Sequence, residues 1–110
     1  KGEGFAPPDE QFDAVFQTAQ QMTASWGGEF LFVYLPAWER CSGKGLPPHD
    51  FYRADVLERI ERLGIPHIDL TPRFEAIDDL TAIFPFGLFG HYTPAGYRIV
   101  TDEILGRLEP

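Results

Sequence analysis

An α/β fold with parallel strands is what this sequence predicts, and three observations predict it. Phe30 to Leu35 is a short apolar run without alternation, the pattern of a strand buried on both faces. Ile65 to Leu70 reads as a second buried strand, entered through the Leu63-Gly64-Ile65 turn of a helix-to-strand connection. Segments of helical period stand before, between and after the two strands, and the crossover rule for such a chain makes the strands parallel with helices on both sides.

The first helix, roughly 9–26, opens on Asp9 as its N-cap. Phe12, Val15, Phe16, Ala19, Met22 and Trp26 recur at helical spacing as its expected core stripe, and Gly27-Gly28 ends it. The first strand, roughly 30–35, stops at Pro36. Residues 37–48 are rich in Gly and Pro and read as a loop carrying Trp38, Glu39, Arg40 and Cys41. Loops at the carboxyl ends of strands are where open parallel sheets bind ligands. The second helix, roughly 50–63, has Asp55/Arg59 and Glu58/Arg62 as i,i+4 pairs and Gly64 as its stop. The second strand, roughly 65–70, leads into Thr71-Pro72, which starts a short helix or turn through Ile77, and a long aromatic loop runs from Leu80 to Tyr92. The last helix, roughly 94–108, has Thr93 as N-cap, Pro94 at its first position and Tyr97, Val100, Ile104 and Leu108 in helical phase. Parallel pairing is normally found in larger sheets, so the strand at 30–35 is expected to need a further neighbour.

A chain of 110 residues is one domain, 1–110, long enough to bury a core, and its ten Phe, four Tyr and two Trp argue against disorder. The net charge of −8 argues against nucleic acid as a partner: Arg53, Arg59 and Arg62 alternate with Asp55, Glu58 and Glu61, and no basic face forms. A single cysteine, Cys41, rules out an internal disulfide and leaves the compartment open, the bacterial periplasm and export included. No apolar run reaches the length of a membrane span, and Lys1-Gly2-Glu3-Gly4 lacks a signal-peptide pattern. The chain does not start with Met, which raises the expectation that further polypeptide precedes Lys1. No cofactor or metal is expected. Cys41 with three widely spaced histidines matches no zinc spacing, and Ser42-Gly43-Lys44-Gly45 lacks the upstream Gly and the Ser or Thr of a phosphate-binding loop.

His91 sits two residues ahead of the Thr93 cap, on a loop where it is presented to solvent or a cleft. Histidine is the side chain best suited to moving protons near neutral pH, which makes His91 the candidate general base. His49 precedes a helix and is expected to help cap it, while His67 lies inside a strand as a partly buried structural residue. Trp38 and Arg40, in the loop after the first strand, and Tyr92, beside His91, are the candidate substrate-binding residues. Phe84, Phe86 and Phe89 are candidates for an aromatic wall. A Cys41/His91 nucleophilic pair has no motif support.

The segment Gly90-His91-Tyr92-Thr93-Pro94-Ala95-Gly96-Tyr97 resembles the last conserved block of the SGNH/GDSL hydrolases, in which a His, a Pro and a nearby Gly open the final helix. The likeness extends back through Phe30–Pro36 and Ile65–Leu70, over roughly the last hundred residues. It implies a three-layer, flavodoxin-like α/β/α domain of which these are the last two of five strands, with this chain as its C-terminal part. It also implies His91 as the base that activates a serine for ester or acetyl hydrolysis or transfer, on a small ester or an acetylated carbohydrate or lipid. Three departures stand against it. The chain has no Gly-Asp-Ser; it has no asparagine for an oxyanion donor; and Leu88 occupies the place three residues before the His where the family usually carries an acid. Ser25 and Ser42 lie in unrelated contexts. The nucleophile and the donors are therefore expected upstream of Lys1, and His91 is expected to be oriented by a backbone carbonyl or by Asp69, Asp78 or Asp79. The competing expectation is a non-catalytic α/β domain for binding or assembly, forming a homodimer through the exposed edge of strand 30–35. An enzyme using Glu39, Asp78 or Asp79 as acid and base has no spacing in its favour.

Overall fold

A computed structural model describes residues 6–45, 48–88 and 90–108, the side chains of residues 48 and 49 excepted. Helix and strand are mixed, as expected. The order is α1 (Glu10–Ser25), β1 (Phe32–Tyr34), α2 (Trp38–Ser42), a 3-10 turn (Pro48–Tyr52), α3 (Arg53–Arg62), β2 (His67–Asp69), α4 (Thr71–Glu75), 3-10 turns at Leu80–Ala82 and Pro85–Gly87, and α5 (Pro94–Leu108). The two strands are parallel and form one two-stranded sheet. They are shorter than the apolar runs that mark them, because the ladder begins where Phe32 N–H donates to Pro66 O and ends where Leu70 N–H donates to Tyr34 O. Outside those bonds the flanking residues have no paired neighbour to hold them in a strand.

The chain divides into two compact units, residues 1–33 with 47–67, and residues 34–46 with 68–110. In the first unit, Asp9 caps α1 by accepting from Gln11 N–H and Phe12 N–H. Phe16 of α1 packs on Phe12, Phe30 and Phe32, with ring centroids 4.6, 6.1 and 5.6 Å apart. α3 lies against α1 and buries Ile60 completely, and Ile65, whose N–H donates to Ile60 O just after the helix, is also buried. Arg59 bridges to Asp13 of α1 at 2.7 Å rather than to Asp55, and Glu58/Arg62 forms no ion pair among the described residues. The expected core stripe of α1 splits. Phe12 and Phe16 turn inward, while Val15, Met22 and Trp26 are exposed and no residue of α1 is wholly buried.

The second unit holds Tyr34, Leu70, Phe74, Ile83 and Phe84 as its buried apolar residues, together with Thr71. Two elements depart from expectation. Residues 37–48 are not all loop: Trp38–Ser42 forms α2, which Gly43 stops in a left-handed conformation with φ 76°. Tyr97 and Leu108 of α5 are exposed instead of core, and the helix buries Gly96. A Cβ at Gly96 would stand 3.0 Å from Ile83 O and from Tyr92 Cβ, so glycine is what lets the start of α5 lie this close to the preceding loop.

Candidate functional site

The candidate residues Trp38, Arg40, His91 and Tyr92 all belong to the second unit. Thr93 anchors the segment that carries His91. Its amide donates to Ile83 O at 2.6 Å, its hydroxyl donates to Ala82 O at 2.7 Å, and the same hydroxyl accepts from Gly96 N–H at 3.0 Å. The last contact is the N-cap bond expected of Thr93 in front of Pro94. One side chain thus caps α5 and fastens it to the 80–83 turn.

Tyr92 supplies the second anchor. Its hydroxyl donates to the carbonyl of Pro36, a buried residue just beyond the carboxyl end of β1. Its ring lies among Phe74, Phe84 and Tyr97, at centroid distances of 4.9, 5.5 and 5.3 Å. Burial raises the pKa of this phenol above the ordinary tyrosine value, with the nearby Cys41 and then Tyr97 adding to the effect. At neutral pH the group therefore stays a hydrogen-bond donor. The hydroxyl of Tyr92, a candidate for touching substrate, is engaged with the protein at Pro36 O.

Trp38 and Arg40 are similarly engaged. Trp38 Nε1 donates to Gly87 O at 3.1 Å, and Arg40 Nη1 lies 3.2 Å from Glu75 Oε2 on α4. These bonds tie α2 to the 85–87 turn and to α4. Glu75 was not legible as a partner from sequence, because the two residues are 35 positions apart and no motif links them. The element α2 had one available signal, Gly43 following a short run of helix formers.

His91 is exposed and makes no hydrogen bond or ion pair among the described residues. The acids considered for orienting it are occupied otherwise or lie free in solvent. Asp79 accepts from both the hydroxyl and the amide of Thr81, at 2.6 and 3.0 Å, and the hydroxyl first, then the amide, hold its carboxyl below its ordinary pKa. Asp69 accepts from Thr71 N–H at 3.0 Å, the local bond of a turn residue ahead of α4. Asp78 is exposed, and Leu88 is exposed too. Ser25 and Ser42 bond back to carbonyls in their own helices, Met22 O and Glu39 O, as helix hydroxyls commonly do. Neither is paired with a histidine.

Within the aromatic loop, Phe84 is buried against Tyr92 while Phe86 projects into solvent from a left-handed backbone with φ 58°. Phe89, the third member of the expected wall, lies outside the described residues, as does the side chain of His49. His67 is half-buried in β2 with Nδ1 3.1 Å from Ile65 O. Among the described residues no three His, Cys, Asp or Glu side chains group as a metal site, and no helix is long and apolar enough to cross a membrane. Compared with family models, with curated proteins and with solved structures, the chain matches none.

Proposed function

We propose that this chain supplies the general-base histidine, His91, of an SGNH/GDSL-like hydrolase acting on an ester or acetyl group. On this reading β1 and β2 are the last two strands of a larger flavodoxin-like parallel sheet with helices on both faces. The serine and the oxyanion donors come from polypeptide outside these 110 residues. One observation carries the reading: an exposed imidazole on a segment anchored twice, through Tyr92 to the carboxyl end of β1 and through Thr93 to the 82–83 turn. A base held on a fixed loop at the end of a parallel strand stands where such folds carry out chemistry.

The chemistry follows from the residue type. The neutral imidazole takes the proton from a serine hydroxyl as its oxygen bonds to the ester carbonyl carbon, then returns that proton to the departing alcohol. Water repeats the sequence and releases the acid. With Leu88 in place of an acid, and no hydrogen bond to His91 among the described residues, the base works as one half of a dyad.

The test uses both forms of the protein. The 110-residue chain alone is expected to hydrolyse p-nitrophenyl acetate no faster than its own His91→Ala variant, and a serine-reactive fluorophosphonate should leave Ser25 and Ser42 unlabelled. Polypeptide carrying this chain together with a Gly-Asp-Ser segment should lose roughly 100-fold or more of its activity on His91→Ala. Full activity in that variant would overturn the assignment. Labelling of either serine in the 110-residue chain would overturn the need for an outside nucleophile.

A further inference from the structure

We infer that the 85–88 turn is the surface that selects the substrate for the reaction proposed for His91. The exposed side chains of Phe86 and Leu88 take the hydrocarbon chain of an ester, so the substrate is an alkyl or fatty ester and not an acetylated sugar. The inference rests on the reading of His91 as a base and narrows what that base acts on.

The backbone itself holds Phe86 out in solvent. Among the described residues it is the one non-glycine with a positive φ, 58°, and it is 90 % exposed. A bulky residue in the left-handed region is strained, and such strain persists only where the surroundings fix it. Here the turn is fixed by Gly87 N–H donating to Phe84 O, Leu88 N–H to Pro85 O, and Trp38 Nε1 to Gly87 O. Leu88, at the end of the same turn, is 60 % exposed. Two large apolar side chains thus stand in water on a turn that is tied down.

The same turn borders His91. Leu88 precedes it by three residues, which keeps their Cα atoms within about 11 Å of each other. The 85–87 turn packs on the 80–82 turn, where a Cβ at Gly87 would stand 3.3 Å from Thr81 Cγ2. Thr93 fastens the His91 segment to that 80–82 turn through Ala82 O. An ester carbonyl placed at the imidazole therefore has Leu88, and then Phe86, within reach of a chain of several carbons.

The neighbouring side chains decide which kind of ester fits. From Leu80 to Tyr97 no Asp, Glu, Lys or Arg occurs, although the chain as a whole carries −8. A sugar is held by hydrogen bonds from side chains, and those of Thr81, Tyr92, Thr93, Trp38 and Arg40 already donate to groups within the protein. What the 85–88 turn offers to a ligand is hydrocarbon, and covering it with an alkyl chain removes apolar surface from water on both sides.

Two measurements test this. In amide NMR of the 110-residue chain, sodium octanoate should shift Phe86, Leu88 and His91 saturably, and sodium acetate should not. Phe86→Gly removes the ring from a left-handed position that glycine occupies without strain, so circular dichroism should be unchanged while octanoate affinity falls at least roughly fivefold. Leu88→Ser should weaken it likewise. In polypeptide carrying this chain together with a Gly-Asp-Ser segment, kcat/KM for p-nitrophenyl octanoate or for octyl acetate should exceed that for p-nitrophenyl acetate or ethyl acetate, respectively, at least roughly tenfold. Which pair shows the preference tells whether the chain lies on the acyl or the alcohol side, and Phe86→Gly should remove most of it. Octanoate that leaves those amides unshifted overturns the inference, as does binding indifferent to both substitutions. Turnover is read apart from binding: full activity in His91→Ala defeats the base, whereas a His91-dependent enzyme without preference for the longer chain in either pair defeats this surface alone.

Discussion

α1 runs for 16 residues without one wholly buried side chain, whereas α4, only five residues long, buries both Thr71 and Phe74. The contrast extends to the two units that contain them. The first unit, with α1 and α3, has Ile60 and Ile65 as its wholly buried apolar residues; the second, with α5, two five-residue helices and the turns between them, has Tyr34, Leu70, Phe74, Ile83 and Phe84. Regular structure satisfies its backbone internally and can remain stable with an apolar face uncovered. Irregular chain cannot, because its carbonyls and amides need partners from elsewhere. The second unit finds them in side chains: Tyr92 on Pro36 O, Trp38 on Gly87 O, Thr93 on Ala82 O. Those side chains then bring their rings and methyl groups into the core with them. The order that fixes the loop before α5 comes from this requirement.

The comparison can be broken most directly at its centre. Phe74→Ala should cost about 3–5 kcal/mol in urea denaturation, against about 2–5 kcal/mol for the equally buried Ile60→Ala. An Ile60→Ala loss clearly exceeding that of Phe74→Ala would mean that the first unit, not the second, holds the chain together. Next in size is Tyr92→Phe, which keeps the ring and removes the hydroxyl. It leaves the carbonyl of the buried Pro36 without this donor and should cost about 1–3 kcal/mol. The same variant tests the phenol's raised pKa. In the unfolded chain Tyr92 ionises near its ordinary 10.0, while in the folded chain it holds its proton to higher pH. Its contribution to stability is therefore complete below pH 10 and is lost as pH rises through the folded pKa. Part of the alkaline fall in stability should accordingly disappear in Tyr92→Phe, and an unchanged alkaline limb would refute that assignment. The smallest effect should be a gain. The Thr71 hydroxyl is buried without a hydrogen-bond partner among the described residues, so Thr71→Val, of nearly the same shape, should stabilise the protein by about 1 kcal/mol. A loss there would reveal a partner for that hydroxyl.

Much of the element order was legible because it rests on local signals. Asp9 and Thr93 cap helices through their own side chains, Gly64 follows α3 with φ 73°, and the last helix spans the residues read for it. The errors share a cause as well. Val15, Met22 and Trp26 have the right period for a core, but periodicity states only that a face is apolar and not that something covers it. Tyr97 failed for a related reason: Gly96 lets the start of α5 lie against Ile83 and Tyr92, leaving the Tyr97 ring half in solvent beside Tyr92. At the candidate site, His91 was readable from its place before a cap. The contacts that Trp38, Arg40 and Tyr92 make were not, because each depends on an atom far away in sequence.

The sequence by itself determined the mixed helix and strand content, the starts of the first and last helices and the parallel direction of the two strands, since caps, stops and apolar runs act within a few residues. Only the tertiary structure decided that Tyr92 clamps the His91 segment to Pro36, that Trp38 and Arg40 are committed to Gly87 and Glu75, and that one flank of α1 stays uncovered. Those outcomes depend on which distant carbonyls and rings the folded chain brings within a few ångströms, and no local pattern encodes that.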